Sequence, residues 1–516
     1  MADKAATKLP IRMQDSKPRK GEALRKEQHR YLRWERRHSR NGGLGWAQNI
    51  WPDMPEKAGD TIPSLPSIRE LISGLIVRGA LPLPLAFHVT EFANGMCSRV
   101  FKLEFPEGAE MPDGMKSTIL LRFAAPLDPY WKTESEVATM AWLAAKTFVP
   151  VPRVYFFDSS ANNDLGLEWV IMELIEGYTF ANWIDDWADE DGIDQLTLTD
   201  DQMRLIGYQS NSYLLSLRAR QFDKIGSLYC NWGTGEFYIG PMVHLDYFHG
   251  DRLQYEGLQR GPFSNISEYF KSLTDLTILE AHHMQEADRK QLLALTGAAC
   301  WDVVGEGDPG FSKPPSVEGL QNRAHQINTE LMPRLLAHVS NLPTFAGGVN
   351  NEAGPVDGWH TELMHPDLHS NNVLVTRSAN GIPKIAAIID WDWTCLMPPS
   401  LSAFMPPLEL EFQDKLAGSV RYPNAQLLEM HHILAPGDLE KDILPKLQGY
   451  PVNNIASTIF RPAKKYIVKR ALALRAVHHV VRRIAAWDSR DMEWVTSAIE
   501  FLNQQQQQQK QKQGED

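Results

Sequence analysis

The chain has 516 residues, of which 43% are hydrophobic and 22% charged, so it is long enough for two or three globular domains or for one two-lobed enzyme with extensions. It has no apolar run of the roughly 18–20 residues that a transmembrane helix needs, and its N-terminus lacks the apolar core of a signal peptide. The net charge of −12 argues against nucleic acid as the main substrate.

Residues 1–66 are predicted to form a basic, partly disordered N-terminal arm. Residues 1–21 are polar and contain proline, which is typical of disorder. Residues 16–41 carry ten Lys or Arg against three Glu; this segment could contact nucleic acid, an anionic surface or a targeting receptor, or form a solvated helix. Four scattered cysteines without metal-ligand spacing predict free thiols in a reducing, cytoplasmic compartment, with the mitochondrion and the nucleus left open.

A small, β-rich lobe is predicted from residue 67 to residue 177. The pattern begins with a short helix over 67–79 and continues with three strand-like runs, a second helix over 133–146 and two more strands. The predicted strands span residues 85–92, 99–105, 118–123, 153–157 and 167–174. Three strands, a helix and two strands are the element order of a kinase small lobe.

From residue 178 to residue 500 the sequence predicts a larger, mostly helical lobe, followed by a disordered Gln-rich tail over 501–516. An insertion over about 178–262 contains Trp183 and Trp187 among acidic residues, which suits an amine or a quaternary ammonium group, or forms a solvated acidic loop. Helical spacing runs over residues 201–220, 264–295, 321–339 and 463–486.

Two motifs in this lobe are the most informative feature of the chain. Residues 365–375 read His-Pro-Asp-Leu-His-Ser-Asn-Asn-Val-Leu-Val, and residues 388–392 read Ile-Ile-Asp-Trp-Asp. Phosphoryl transfer needs a carboxylate that deprotonates the attacking hydroxyl and oxygen ligands that hold Mg²⁺ against a triphosphate. Asp367 suits the first task, and Asn372 and Asp390 suit the second.

The residue sequences of these two motifs resemble those of the aminoglycoside phosphotransferase family. This family includes choline and homoserine kinases and belongs to the protein-kinase-like superfamily. The similarity covers about residues 85–400, and the long insertion and tails resemble the large fungal members. The resemblance implies an α+β, bilobal protein-kinase-like fold with a catalytic loop at 365–375 and a metal segment at 388–392. It also implies an ATP- and Mg²⁺-dependent kinase that moves the γ-phosphate to a hydroxyl of a small-molecule acceptor.

The same resemblance gives roles to residues of the small lobe. The turn that holds Gly95 and Ser98 would cover the nucleotide phosphates, with the Ser98 hydroxyl near a phosphate oxygen. Arg122 stands where kinases use a lysine to hold the α- and β-phosphates, a departure because arginine is bulkier and differently aimed. Glu136 would be the ion-pair partner of Arg122, with Glu134 as the second choice.

Further roles fall on the end of the small lobe and on the catalytic loop. The segment with Glu173 and Ile175 would bind adenine through its backbone. His365 would orient the catalytic loop by hydrogen bonds to the backbone. His369 would either contact the substrate or only pack within the loop. Asp392 would have a structural role beside the site and would not bind the metal.

Other interpretations remain open at this point. The single glycine of the phosphate turn and Arg122 favour a catalytically inactive, kinase-shaped binding or scaffold protein. A protein kinase is disfavoured because the chain lacks Asp-Phe-Gly and Ala-Pro-Glu segments. A nucleic-acid-associated protein would use the basic segment at 16–41. The sequence does not identify the acceptor, although the negative charge of the chain outside residues 16–41 favours a neutral or cationic small molecule.

Overall fold

The computed structural model describes residues 8–14, 17–18, 63–94, 98–112, 114–184, 198–218, 220–244, 247, 252–283, 317–331, 333, 360–398 and 507. The small lobe and both motifs fall within these ranges. The basic segment beyond residue 18, the helix predicted over 463–486 and nearly all of the Gln-rich tail lie outside them.

The small lobe is built on a six-stranded sheet with the spatial order β1-β5-β6-β4-β3-β2. Strands β2 to β6 pair in antiparallel fashion, and β1 adds to β5 in parallel. Two helices accompany the sheet, α1 (Leu65–Val77) and α2 (Trp131–Lys146). The strands are β1 (Ile11–Arg12), β2 (His88–Asn94), β3 (Ser98–Glu104), β4 (Thr118–Ala124), β5 (Val154–Asp158) and β6 (Trp169–Glu173).

Helix α1 forms where a capping residue precedes apolar residues at helical spacing. The Ser64 hydroxyl accepts a hydrogen bond from the Ser67 N–H at 3.2 Å, which satisfies one of the free donors at the helix start. The buried face of the helix packs against the sheet, and each such side chain contributes roughly 1.5–3 kcal/mol when fully buried. This face consists of Ile68, Leu71, Ile72 and Leu75.

Residues 8–14 are ordered against the sheet, whereas the sequence predicted disorder for residues 1–21. Ile11 pairs with Phe156 and Arg12 with Phe157, and the Met13 N–H donates to the Phe157 carbonyl at 2.9 Å. The disorder prediction is wrong for this stretch because composition does not register a two-residue strand that pairs with a distant part of the chain.

In its described residues, the large lobe combines helices with three small sheets of two or three strands. Its described α-helices are α3 (Phe180–Ile184), α4 (Asp200–Arg218), α5 (Ile266–His283) and α6 (Val317–Gln326). In the three-stranded sheet, β11 pairs with both β7 and β12; the two-stranded sheets pair β8 with β9 and β10 with β13. The strands are β7 (Tyr178–Thr179), β8 (Ser227–Asn231), β9 (Glu236–Gly240), β10 (Glu362–Met364), β11 (Val373–Arg377), β12 (Pro383–Ile388) and β13 (Cys395–Met397).

The hairpin of β8 and β9 corrects the helical interpretation of the chain after Gly177. Each of its two strands has three consecutive apolar residues, and the turn between the strands contains Gly233 and Gly235, of which Gly235 has a positive φ of 74°. Glycine adopts this conformation at little cost, so the turn was recognisable in the sequence.

One hydrophobic cluster joins the two lobes at the level of the motifs. It includes Val137 and Leu143 of α2 together with Val373, Ile385 and Ile388 of the large lobe. The α+β fold with a β-sheet N-terminal lobe and a helix-containing second lobe is therefore confirmed. Within the described ranges, no helix is long and apolar enough to cross a membrane.

Candidate active site

The catalytic loop is held by His365, which follows β10. Its Nδ1 accepts a hydrogen bond from the Asp367 N–H at 3.2 Å, so the proton is on Nε2, which donates to the Ile389 carbonyl at 3.0 Å. The ring also packs on Trp391, with centroids 4.7 Å apart. Burial lowers the pKa of His365 to about 4, so the imidazole is neutral at neutral pH. One histidine thus joins the catalytic loop to the metal segment.

The Asp367 carboxylate is exposed and faces His369. The Nδ1 of His369 accepts from the Asn371 N–H at 3.2 Å, so its protonated Nε2 is the atom that lies 3.4 Å from Asp367 Oδ2. The hydrogen bond from His369 lowers the pKa of Asp367 below its usual value. Asp367 is therefore ionised at neutral pH, as a proton acceptor must be.

Asn372 and Asp390 lie beside this loop. The Asn372 amide nitrogen donates to the Asp367 carbonyl at 2.8 Å, which leaves the amide oxygen as the atom that can coordinate a cation. The Ile389 N–H donates to the Asn372 carbonyl at 2.9 Å, so the residue before Asp390 is fixed to the loop. Asp390 itself has a positive φ of 62°, a conformation that costs non-glycine residues on the order of 1 kcal/mol.

Asp390 also has an unusual proton affinity. Although the Asp390 side chain is exposed to solvent, the surrounding protein desolvates its carboxylate. This desolvation and the nearby Asp392 charge raise the pKa of Asp390 to about 6. A carboxylate crowded by another carboxylate is stabilised when a cation binds.

The donors fit Mg²⁺ held against a nucleotide. An amide oxygen and a carboxylate are hard ligands, and Mg²⁺ typically takes one or two protein oxygens and completes its shell with phosphates and water. The described part of the chain has no group of three or more His, Cys, Asp or Glu that could hold a metal by itself. Asn372 and Asp390 are thus suited to a shared metal site and not to an all-protein cage.

Four buried charged side chains connect the small lobe to the metal segment. Arg122 of β4 forms an ion pair with Glu136 of α2, as predicted from the resemblance, and both its terminal nitrogens lie 3.4 Å from Asp392 Oδ1. Lys132 Nζ lies 2.6 Å from Asp392 Oδ2. Burial alone would raise the pKa of Asp392, but Lys132 and Arg122 keep it below its usual value. We call these four residues the ion network.

The second-choice partner of Arg122 is engaged elsewhere. Glu134 lies 2.8 Å from Arg12 of β1, and its carboxylate also accepts hydrogen bonds from Ser159 and from the Trp232 indole, the latter at 2.7 Å. Glu134 therefore links the N-terminal segment to α2 and does not contact Arg122.

The other residues that were predicted to bind the nucleotide are described by the structure only in part. Ser98 opens β3 and is buried, whereas Gly95 lies outside the described residues. Glu173 ends β6, and its N–H already donates to the Arg153 carbonyl at 2.8 Å, so that donor is not available to a base. Ile175 follows in an irregular, half-buried segment.

Two features of the site were missed or misjudged in the sequence. Lys132 precedes Glu136 by four residues, which puts both on one face of α2; this spacing was the signal that could have revealed it. Trp183, predicted as an aromatic face for a cationic acceptor, is buried in the core with the Arg377 guanidinium 4.9 Å from its ring centroid. Trp187 and the acidic residues at 185–191 lie outside the described residues.

Comparison with known sequences finds distant fungal relatives. No protein-family model matches the chain. A subtelomeric hrmA-associated cluster protein of Aspergillus fumigatus is 27% identical over 335 residues, which cover 62% of this chain and 60% of the relative. Altered inheritance of mitochondria protein 9 of Debaryomyces hansenii is 24% identical over 345 residues, which cover 61% of this chain and 48% of the relative. The chain thus matches less than two thirds of each relative's length.

Solved structures with similar folds are small-molecule phosphotransferases by name. Aminoglycoside phosphotransferase APH(4)-Ia is 12% identical with a TM-score of 0.34, and the match covers 84% of this chain and 97% of that one. An ethanolamine kinase of Plasmodium vivax is 11% identical with a TM-score of 0.38, covering 96% of this chain and 97% of that one. At such scores these similarities carry no functional conclusion, and the site must be judged on its own geometry.

Proposed function

We propose that the chain is an ATP-dependent phosphotransferase that moves the γ-phosphate to a hydroxyl of a small molecule. The observation that carries this proposal is the pair of hydrogen bonds that unites three candidate residues. Asn372 Nδ2 donates to the Asp367 carbonyl at 2.8 Å, and the N–H before Asp390 donates to the Asn372 carbonyl at 2.9 Å. One side-chain-to-backbone and one backbone-to-backbone hydrogen bond thus link the segments that carry the proposed base and the two proposed cation ligands.

In the proposed reaction, Asp367 orients the acceptor hydroxyl and takes its proton as that oxygen bonds to the γ-phosphorus, while the bond from the γ-phosphorus to the β–γ bridging oxygen breaks and ADP leaves. The lowered pKa of Asp367 keeps it ionised for this task, and His369 holds one carboxylate oxygen while the other stays open to solvent. His365 acts through the loop: because it bonds to both the Asp367 N–H and the Ile389 carbonyl, it fixes the base relative to the metal segment.

Asn372 and Asp390 are the proposed Mg²⁺ ligands, and the ion is expected to neutralise charge on the phosphates when bound. On the nucleotide side, Ser98 and the Gly95 turn are proposed to cover the phosphates. The segment from Glu173 to Ile175 is proposed to bind adenine.

The proposed acceptor is a neutral or cationic small molecule. The net charge of −12 and the exposed Asp367 and Asp390 carboxylates supply the reason, since an anionic acceptor would be repelled. The buried Trp183 gives this preference no support. We therefore expect alcohols with an amine or quaternary ammonium group to be better acceptors than sugar phosphates.

The experiment is a screen of hydroxyl compounds for ATP consumption in the presence of Mg²⁺, with neutral, cationic and anionic members matched in size. Transfer to a neutral or cationic member supports the proposal, and the phosphorylated product is identified by mass. Nucleotide binding without any transfer would instead favour the second candidate.

The second candidate is a catalytically inactive, kinase-shaped binding protein. The specific observation in its favour is that both terminal nitrogens of Arg122 contact carboxylates, so the residue that replaces the kinase lysine is already occupied. A protein kinase and a nucleic-acid-associated protein remain weaker alternatives, without a described contact in their favour.

The cytoplasm remains the proposed compartment. The mitochondrial name of the Debaryomyces hansenii relative makes the mitochondrion the alternative. Imaging of the tagged full-length chain separates these two locations.

A further inference from the structure

The nucleotide site needs a cation for the phosphates, and Arg122 is poorly placed to be that cation alone. Its side chain is buried, one terminal nitrogen pairs with Glu136, and both contact Asp392. A phosphate could engage these nitrogens only by displacing a carboxylate from a buried pair, which is costly. Arg122 is thus better described as the group that fixes Glu136 and Asp392.

Lys132 is the second cation of the ion network. It lies in the first turn of α2, its side chain is only 2% exposed, and Nζ sits 2.6 Å from Asp392 Oδ2. The Trp393 ring centroid lies 5.1 Å from Nζ and contributes a cation–π contact. The ammonium is therefore held in place close to the metal segment.

The donors of this ammonium are not satisfied by the protein. An ammonium offers three N–H donors, and the ion pair with Asp392 can occupy only part of that capacity. Beyond this ion pair, Lys132 Nζ has no hydrogen-bond partner among the residues that the structure describes. The Nε of Arg122 is likewise buried without a partner within those residues. Buried donors left unmet are expensive, so this part of the site is complete only with a further acceptor.

The positive charge of the groups that carry the unmet donors favours an anion as this acceptor. Lys132 Nζ lies 2.6 Å and Arg122 3.4 Å from the carboxylate of Asp392, which follows the proposed metal ligand Asp390 by two residues, so both cations lie beside the proposed metal segment. A phosphate offers several acceptor oxygens and negative charge, which match an ammonium with free donors.

We propose that Lys132 contacts a phosphate oxygen of the bound nucleotide and so shares the role that the resemblance gave to Arg122. This inference rests on the proposed function, because it places the phosphates of that nucleotide. It assigns Lys132 to nucleotide binding and leaves Arg122 chiefly as the support of Glu136 and Asp392.

The test compares adenosine, ADP and ATP binding by calorimetry with Mg²⁺ present. The variants are Lys132→Met, Lys132→Arg and the control Lys146→Met, which changes an exposed lysine in the last turn of the same helix. Loss of a charged hydrogen bond should weaken ADP and ATP binding by about 10- to 100-fold in Lys132→Met and leave adenosine binding unchanged. Lys132→Arg keeps the charge and should recover part of the loss, and Lys146→Met should match the wild type.

The outcomes separate this inference from the proposed function. Wild-type protein that binds no nucleotide would overturn both. If the wild type binds ADP and Lys132→Met binds it equally well, Lys132 makes no phosphate contact and only this inference fails. Equal loss of adenosine and ADP binding would make Lys132 structural. If Lys132→Met lowers the melting temperature, the Lys132→Met/Asp392→Asn variant removes both charges of the pair, and its adenosine-to-ADP comparison decides the question.

Discussion

His365 is a neutral histidine whose two ring nitrogens both bond to the backbone. Burial lowers its pKa from 6.5 to about 4. The unfolded chain therefore binds a proton at this residue as the pH falls below about 6.5, while the folded chain resists until near 4, so stability is lost over that range. The free energy of unfolding should fall less between those values in His365→Gln than in the wild type.

Chemical denaturation at several pH values measures this difference. The exposed His88→Gln variant is the control and should follow the wild type. A His365→Gln protein with the same pH dependence as the wild type would show that folding does not lower the pKa of His365.

Asp390 has the opposite shift, with its pKa raised to about 6 by desolvation and by Asp392. Protonation competes with a cation for this carboxylate, so Mg²⁺-dependent ADP binding should weaken as the pH falls through about 6. In Asp390→Asn, binding should be weak at every pH and should lack this step.

Calorimetry with and without Mg²⁺ follows the step, and the exposed Asp164→Asn variant controls for charge. An Asp390→Asn protein with an unchanged Mg²⁺ dependence would remove Asp390 from the proposed metal site.

Strand β1 changes what is expected of the N-terminal arm. Composition alone predicts that residues 1–41 can be removed without harm, because the segment is polar and basic. However, Arg12 reaches Glu134, whose side chain is 4% exposed and whose pKa is raised by burial. Arg12→Met leaves that carboxylate without its cation and should destabilise the fold by about 1–3 kcal/mol.

Urea denaturation measures the loss, and the exposed Lys8→Met variant is the matched control. Deletion of residues 1–14 should cost at least as much, since it also removes the pairing of β1 with β5. A deletion that leaves the unfolding midpoint unchanged would mean that β1 adds nothing to the core.

The sequence predicted the bounds of individual strands better than it predicted which distant segments they pair with. Strand β3 alternates buried and half-buried residues from Arg99 onward and β4 is buried at five of its seven positions, and the bounds of both strands were predicted to within one residue. Strand β1 was missed because its pairing joins residues about 145 positions apart and leaves no periodic signal. Trp183 was misjudged for a related reason: its neighbours in sequence are acidic, but its neighbours in space are the core and Arg377.

At the scale of the whole molecule, the two motifs predicted a common site but not the ion pairs that Asp392 forms with the small lobe. Asn372 is hydrogen-bonded to Asp367 and to Ile389, the residue before Asp390, so the two motifs are in contact. The pairing of Asp392 with two cations from different elements of the small lobe depends on the packing of both lobes, which a single motif does not encode. The ion network therefore emerged only from the fold.

Asp367 is the proposed base of a phosphotransferase. The most direct measurement is the rate of γ-phosphate transfer to an acceptor from the screen, compared between the wild type, Asp367→Asn and the exposed control Asp164→Asn. We expect Asp367→Asn to lower the rate by about 10²- to 10⁴-fold while ATP binding and the melting temperature stay close to wild type. Wild-type turnover in Asp367→Asn would contradict it.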